Sequence, residues 1–176
     1  MVKEIEDIFK KNQVVKSTLE STKNFSHALS VEKQLTNYLI TTIGCYFENK
    51  FYDILIEYTT KNSSDILSNV LYKDFIYKRY HSYFTWDAQK TNGINTLLSK
   101  FGEEFSKSFR ELISNDPKLK DSILIFLDLG NLRNLVSHEY LFEVKKTSNE
   151  IFEAFQEAMY FLEKFQSEIN KHKIGA

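Results

Sequence analysis

Apolar residues recur every three or four positions along most of this chain, a spacing that predicts a succession of amphipathic helices. The first runs from about Val2 to Leu19, with Ile5, Ile8, Phe9 and Val15 on its apolar side, and turns near Ser21 to Asn24. A second, longer helix spans about Ser26 to Lys61. There Leu35, Tyr38, Leu39, Thr42, Ile43, Tyr46, Phe47, Phe51, Ile54, Leu55 and Tyr58 hold the spacing, which makes it the central helix. Ser63, Ser64 and Asp65 read as the start of a further stretch ending near Tyr80. The pattern weakens between His81 and Asn92, and Asn92-Gly93 is a turn signal. Two shorter helices fit Ile94 to Phe101 and Glu103 to Ile113, on either side of Gly102. Asn115-Asp116-Pro117 reads as a stop and a new start, with Asp116 as N-cap and Pro117 first in a helix to about Glu139. A last helix, Ser148 to about Asn170, carries Ile151, Phe152, Phe155, Met159, Leu162 and Phe165 on one face.

Composition agrees with this pattern. Five Gly and one Pro stand against 15 Phe and 10 Tyr, too few turn formers for a β-sandwich or barrel. The length of 176 residues suits one domain, and no repeat, low-complexity tract or linker divides it. The expectation is an all-α protein: an up-and-down helical bundle over 1–176, with residues 1–24 as an N-terminal helix and 25–170 as the core. The single cysteine excludes a disulfide framework or a multi-cysteine zinc site, and its apolar neighbours predict that Cys45 is a small buried side chain. The start MVKEIEDIFK, with two lysines and three acids, does not read as a signal peptide. The longest apolar run, Ile123 to Leu127, falls far short of the roughly 20 residues that span a bilayer. No membrane association and a cytoplasmic location are expected.

The formal charge of −1 argues against a protein that coats nucleic acid. The sum conceals a gradient. Residues 61–120 hold 10 basic and 7 acidic side chains, whereas residues 121–176 hold 6 and 9.

Candidate chemistry concentrates in DLGNLRNLVSHEY. At about 100° per residue, Leu129, Leu132 and Val136 fall on one line, and Asn131, Asn134 and His138 fall on the opposite stripe. Arg133 and Ser137 lie on the flank between the two. A guanidinium matches phosphate oxygens with a planar fork, and an imidazole moves protons near neutral pH. The pair suits metal-free phosphodiester cleavage, in which one group handles a proton and the cation stabilises charge on phosphorus. RNA brings its own nucleophile, the 2′-hydroxyl. Two proton handlers are wanted, and a homodimer would bring two histidines to one axis. The spacing by itself is equally open to a plainer account, in which a surface Arg and His near a helix C-terminus complement the dipole.

LRNLVSHE resembles the Arg-polar-x-x-x-His signature of the HEPN superfamily, with Arg133, Asn134 and His138 in the three named places. The long helix containing LITTIGCYFENKFYDILIEY is similar to the early helix of the MAE-like and RiboL-PSP-like branches, and the signature precedes one last helix, as it does there. This resemblance implies a helical bundle that pairs as a homodimer, a metal-independent endoribonuclease without cofactor, and roles in toxin–antitoxin, phage-defence or RNA-processing systems. RNA and a homodimer mate are the implied partners, together with an antitoxin or a nucleotidyltransferase-like protein. Within it, His138 is the general acid/base, Arg133 the phosphate stabiliser and Asn134 a positioning group, with Ser137 and Asn131 beside the substrate. Many members carry a small residue after the histidine; here it is Glu139, which would orient His138. The alternative is a non-catalytic HEPN module that holds RNA, a nucleotide or a protein partner.

Two other features bear on substrate. The stretch Leu71 to Trp86 interleaves Lys73, Lys78, Arg79 and His81 with seven aromatic rings, as a single-stranded RNA surface requires. The rings would serve equally as core, which leaves Lys78 and Arg79 as candidate substrate contacts. Glu48, set among apolar residues of the long helix, would pair with Arg133, orient His138 or reach solvent. No zinc-ligand spacing and no Gly-rich phosphate loop occurs.

Overall fold

The computed structural model describes residues 2–171 except 64, 65, 67, 68, 70–78, 88, 140 and 141. The protein is all-α, with no strand among the described residues. The helices are α1 (Val2–Ser21), α2 (Phe25–Asn62), α3 (Asn95–Ser99), α4 (Glu103–Asn115), α5 (Pro117–His138) and α6 (Ser148–Ile169), with 3₁₀ turns at Tyr80–Tyr83 and Thr91–Ile94. The expected boundaries of the long helices hold to within two residues. Most of the helix expected from Asp65 lies outside the described residues, and its expected end, Tyr80, instead opens a 3₁₀ turn. The chain forms two compact units, Met1–Tyr46 with Leu129–Gln156, and Phe47–Asp128 with Glu157–Ala176, so that α2, α5 and α6 contribute to both.

In the first unit, α1 buries Ile5, and Phe9 stacks on Phe152 of α6 with centroids 4.2 Å apart. Val15, expected inward, is 48% exposed. The inward place one residue on belongs to Lys16, whose ammonium reaches Glu32 of α2 at 2.9 Å, so an ion pair displaces the valine from that line. On α2, Leu35, Leu39, Ile43 and Tyr46 point into the core, whereas Tyr38 is 51% exposed. Cys45 is exposed too, against expectation. At about 100° per residue, Tyr38 and Cys45 share a line far from the buried one, so apolar neighbours in sequence are not neighbours in space.

Thr147 and Glu150 start α6 as a capping box: the Thr147 amide donates to Glu150 Oε2 at 2.7 Å, and the Glu150 amide donates to Thr147 Oγ1 at 3.2 Å. The next amide, that of Ser148, donates to Glu32 Oε1 at 2.7 Å. The Ser148 hydroxyl donates to Glu32 Oε2 and accepts from Gln13 Nε2, so one buried serine ties α1, α2 and α6 together.

The second unit is an aromatic core. Phe51, Phe109, Phe126, Phe161 and Phe165 are fully buried, with Phe51 stacked on Phe165 at 5.0 Å. Asp116 caps α5 as expected, accepting from the Leu119 amide at 3.0 Å, and its other oxygen accepts from the Tyr160 hydroxyl at 2.9 Å. Ser122 locks α5 onto α6 by donating to the Glu157 carbonyl and accepting from the Phe161 amide.

Burial raises the Glu32 carboxyl, but the Ser148 amide, the Lys16 ammonium and the Ser148 hydroxyl outweigh it, leaving the carboxyl below its ordinary value. A depressed carboxyl stabilises the fold fully above its unfolded value and loses that stabilisation as pH falls through the folded one. In urea titrations, Glu32→Gln should lose about 1 kcal/mol at neutral pH. Its midpoint should also fall less than that of the wild type between about pH 6 and about pH 3.

Candidate active site

The last three turns of α5 carry the motif, within the first unit. Leu129 and Leu132 are buried, as the periodicity predicts, and Val136 is half-buried. Arg133 and Asn134 are half-buried and bonded to each other, with Arg133 Nη1 donating to Asn134 Oδ1 at 3.3 Å. Asn131 is half-buried, and Ser137, His138 and Glu139 are exposed. The Glu139 amide closes the last turn by donating to the Leu135 carbonyl at 2.8 Å. Among the described residues, no carboxylate pairs with Arg133, and no group bonds to the His138 side chain. A guanidinium and an imidazole therefore lie within the last two turns of the same helix.

Gly44 of α2 is what places Arg133. A methyl group added there would sit 2.6 Å from Arg133 Cγ and 3.3 Å from Cβ, so the arginine stem lies directly on the glycine. The stem packs on the glycine, and the guanidinium beyond it bonds to Asn134. Sequence reasoning passed over Gly44. Its signal was a lone glycine deep inside a 38-residue helix, where glycine costs about 1 kcal/mol relative to alanine and needs a reason such as close packing.

A family model for RiboL-PSP-HEPN matches residues 2–171. The chain belongs to the RiboL-PSP-HEPN family. No curated protein and no solved structure matches it significantly. Membership of this HEPN family accounts for the all-α architecture and supports an RNA-related module.

Of the other expected site residues, Glu48 and Arg79 belong to the second unit. Glu48 lies in the second unit, where its Oε1 accepts from the Tyr52 hydroxyl at 2.8 Å. Arg79 is exposed in the same unit, and Lys78 lies outside the described residues. Of the described rings read as a base-stacking surface, Tyr80, Tyr83 and Phe84 are core and Trp86 is half-buried. Tyr80, Tyr83 and Phe84 are 4–6% exposed, and Phe84 packs on Phe51, Phe126 and Trp86. Among the described residues, no group of three or more His, Cys, Asp or Glu is arranged to hold a metal ion, and no helix is long and apolar enough to cross a membrane.

The contact between Gly44 and Arg133 predicts a change of sign. With Arg133 in place, Gly44→Ala should destabilise by about 1–2 kcal/mol through overpacking. In an Arg133→Ala background it should be neutral or stabilising by up to about 1 kcal/mol, because alanine is the better helix former. A double-mutant cycle in urea measures both.

Proposed function

We propose that this HEPN domain is a metal-independent endoribonuclease acting as a homodimer. The observation that carries the reading is an Arg-Asn-x-x-x-His set at the exposed end of α5, inside a chain matched almost throughout by an RNA-related family. Arg133 binds a non-bridging phosphate oxygen through its guanidinium fork and stabilises the charge that grows on phosphorus. Asn134, bonded to Arg133, holds the fork in orientation. His138 takes the proton from the 2′-hydroxyl as its oxygen attacks phosphorus, and the same histidine of a second copy gives a proton to the departing 5′-oxygen. The products are a 2′,3′-cyclic phosphate and a 5′-hydroxyl, and no metal or cofactor takes part. Ser137 and Asn131 lie beside the scissile nucleotide. A role in toxin–antitoxin or phage-defence systems, with a protein that neutralises the activity, fits such an enzyme.

One observation favours a second reading. Glu139 is exposed directly after His138, and a carboxylate there repels phosphate unless it is engaged by the histidine. A module that holds RNA, a nucleotide or a protein without cleavage would tolerate it.

Purified protein should cleave RNA in the presence of EDTA and leave 2′,3′-cyclic ends. Replacing His138 by alanine should slow cleavage by about 10²–10⁴-fold, and Arg133→Ala by about 10²–10³-fold, with helical circular dichroism retained. Cleavage by His138→Ala at the wild-type rate, or RNA binding without turnover at any pH, would overturn the catalytic reading.

A further inference from the structure

An absence of charge marks one surface of the first unit. Charged residues make up 27% of the chain, yet none occurs from Gln34 to Tyr46 on α2, and Arg133 is the one charge from Leu129 to Ser137 on α5. The Arg133 stem, packed on Gly44, brings the two stretches together. Burial does not account for the missing charges. Gln34, Asn37, Tyr38, Thr41 and Cys45 are all exposed, Tyr38 at 51%. At about 100° per residue these five share one line of α2. We infer that this line docks a second copy of the chain, the two α2 helices packing antiparallel about Thr41. The inference rests on the homodimer of the reading above and gives it a surface and a register.

The chemistry of the face selects a protein occupant. Depletion of charge with an exposed aromatic ring is what separates the centre of a protein–protein interface from ordinary surface. RNA is disfavoured, because phosphate binding needs several cations and these stretches hold one. A strongly charged protein partner would find no opposite charge to meet. The amides of Gln34 and Asn37 each carry donors and an acceptor, so the face can satisfy a copy of itself, as a two-fold contact requires.

The charges that bound the neutral stretch fix the register. The first ones met along α2 are Lys33 at one end and Glu48 at the other. They are opposite in sign, equally far from the Ile40–Thr41 peptide bond, and on the same side of Thr41 around the helix. An antiparallel pairing about that point therefore sets Lys33 against the partner's Glu48, and Glu48 against the partner's Lys33. A parallel pairing would set like charges opposite each other. Lys33 can exchange its present carboxylate for another, because its pair with Glu143 at 2.6 Å joins side chains 62% and 70% exposed, and such pairs are weak.

The test measures self-association of the full-length chain by analytical ultracentrifugation, with RNA cleavage in EDTA followed on the same samples. The wild type should be a dimer. Tyr38→Glu with Thr41→Glu, both at exposed positions, should raise the dissociation constant about tenfold or more with circular dichroism unchanged. Lys33→Glu or Glu48→Lys alone should weaken the dimer about two- to fivefold, and the two together should restore it. Thr41→Cys in a Cys45→Ser background should join two chains by a disulfide on oxidation, since packed helices bring residues at the two-fold axis within bonding range. A wild-type chain that stays monomeric at every concentration overturns the inference. If the wild type is a dimer that cleaves RNA while the Tyr38→Glu, Thr41→Glu chain stays dimeric and the Thr41→Cys chain does not cross-link, the copies meet elsewhere and the ribonuclease reading stands. If the Tyr38→Glu, Thr41→Glu chain is monomeric yet cleaves at the wild-type rate, the interface stands and the paired-histidine mechanism falls.

Discussion

A long cationic side chain on a helix packed against another helix needs room for its stem at the contact. In this protein the room is found where α5 crosses Gly44. The glycine lets the Arg133 stem lie on α2, and the guanidinium at its end bonds to Asn134. A side chain at position 44 would force the arginine aside or separate the helices, and either change would carry Asn134 and His138 with it. The close approach thus sets both the packing of the first unit and the presentation of its motif.

A second constraint holds the far side of that unit. The first amides of a helix need acceptors, and α6 obtains them from its own capping box and from Glu32 on α2. Because Lys16 of α1 neutralises the same carboxylate, one buried node joins three helices. The node sits at the start of α6, the helix that follows the motif helix in the chain.

The second unit meets a different demand. Its rings pack edge to face and stacked around Phe51, Phe126 and Phe165, which consumes Tyr80, Tyr83 and Phe84 in core formation. Aromatic residues interleaved with lysine and arginine look the same in a row of letters whether the rings face bases or one another. Burial separates the two cases, and for the described rings it favours the core.

Periodicity and capping chemistry, both local, made the helices legible in the sequence: the Asp116-Pro117 start, the long span of α2 and the buried line Leu129–Leu132 follow from residues within a few turns of one another. The Arg133, Asn134 and His138 set was legible for the same reason, since a single helix carries it. The sequence could not show which residues lie opposite. Gly44 is 89 positions from Arg133, and Glu32 is 116 from Ser148. The exposure of Val15, Tyr38 and Cys45 was decided in the same way, because an apolar residue is buried only if another element covers its particular line of the helix, and only the tertiary structure says which line is covered.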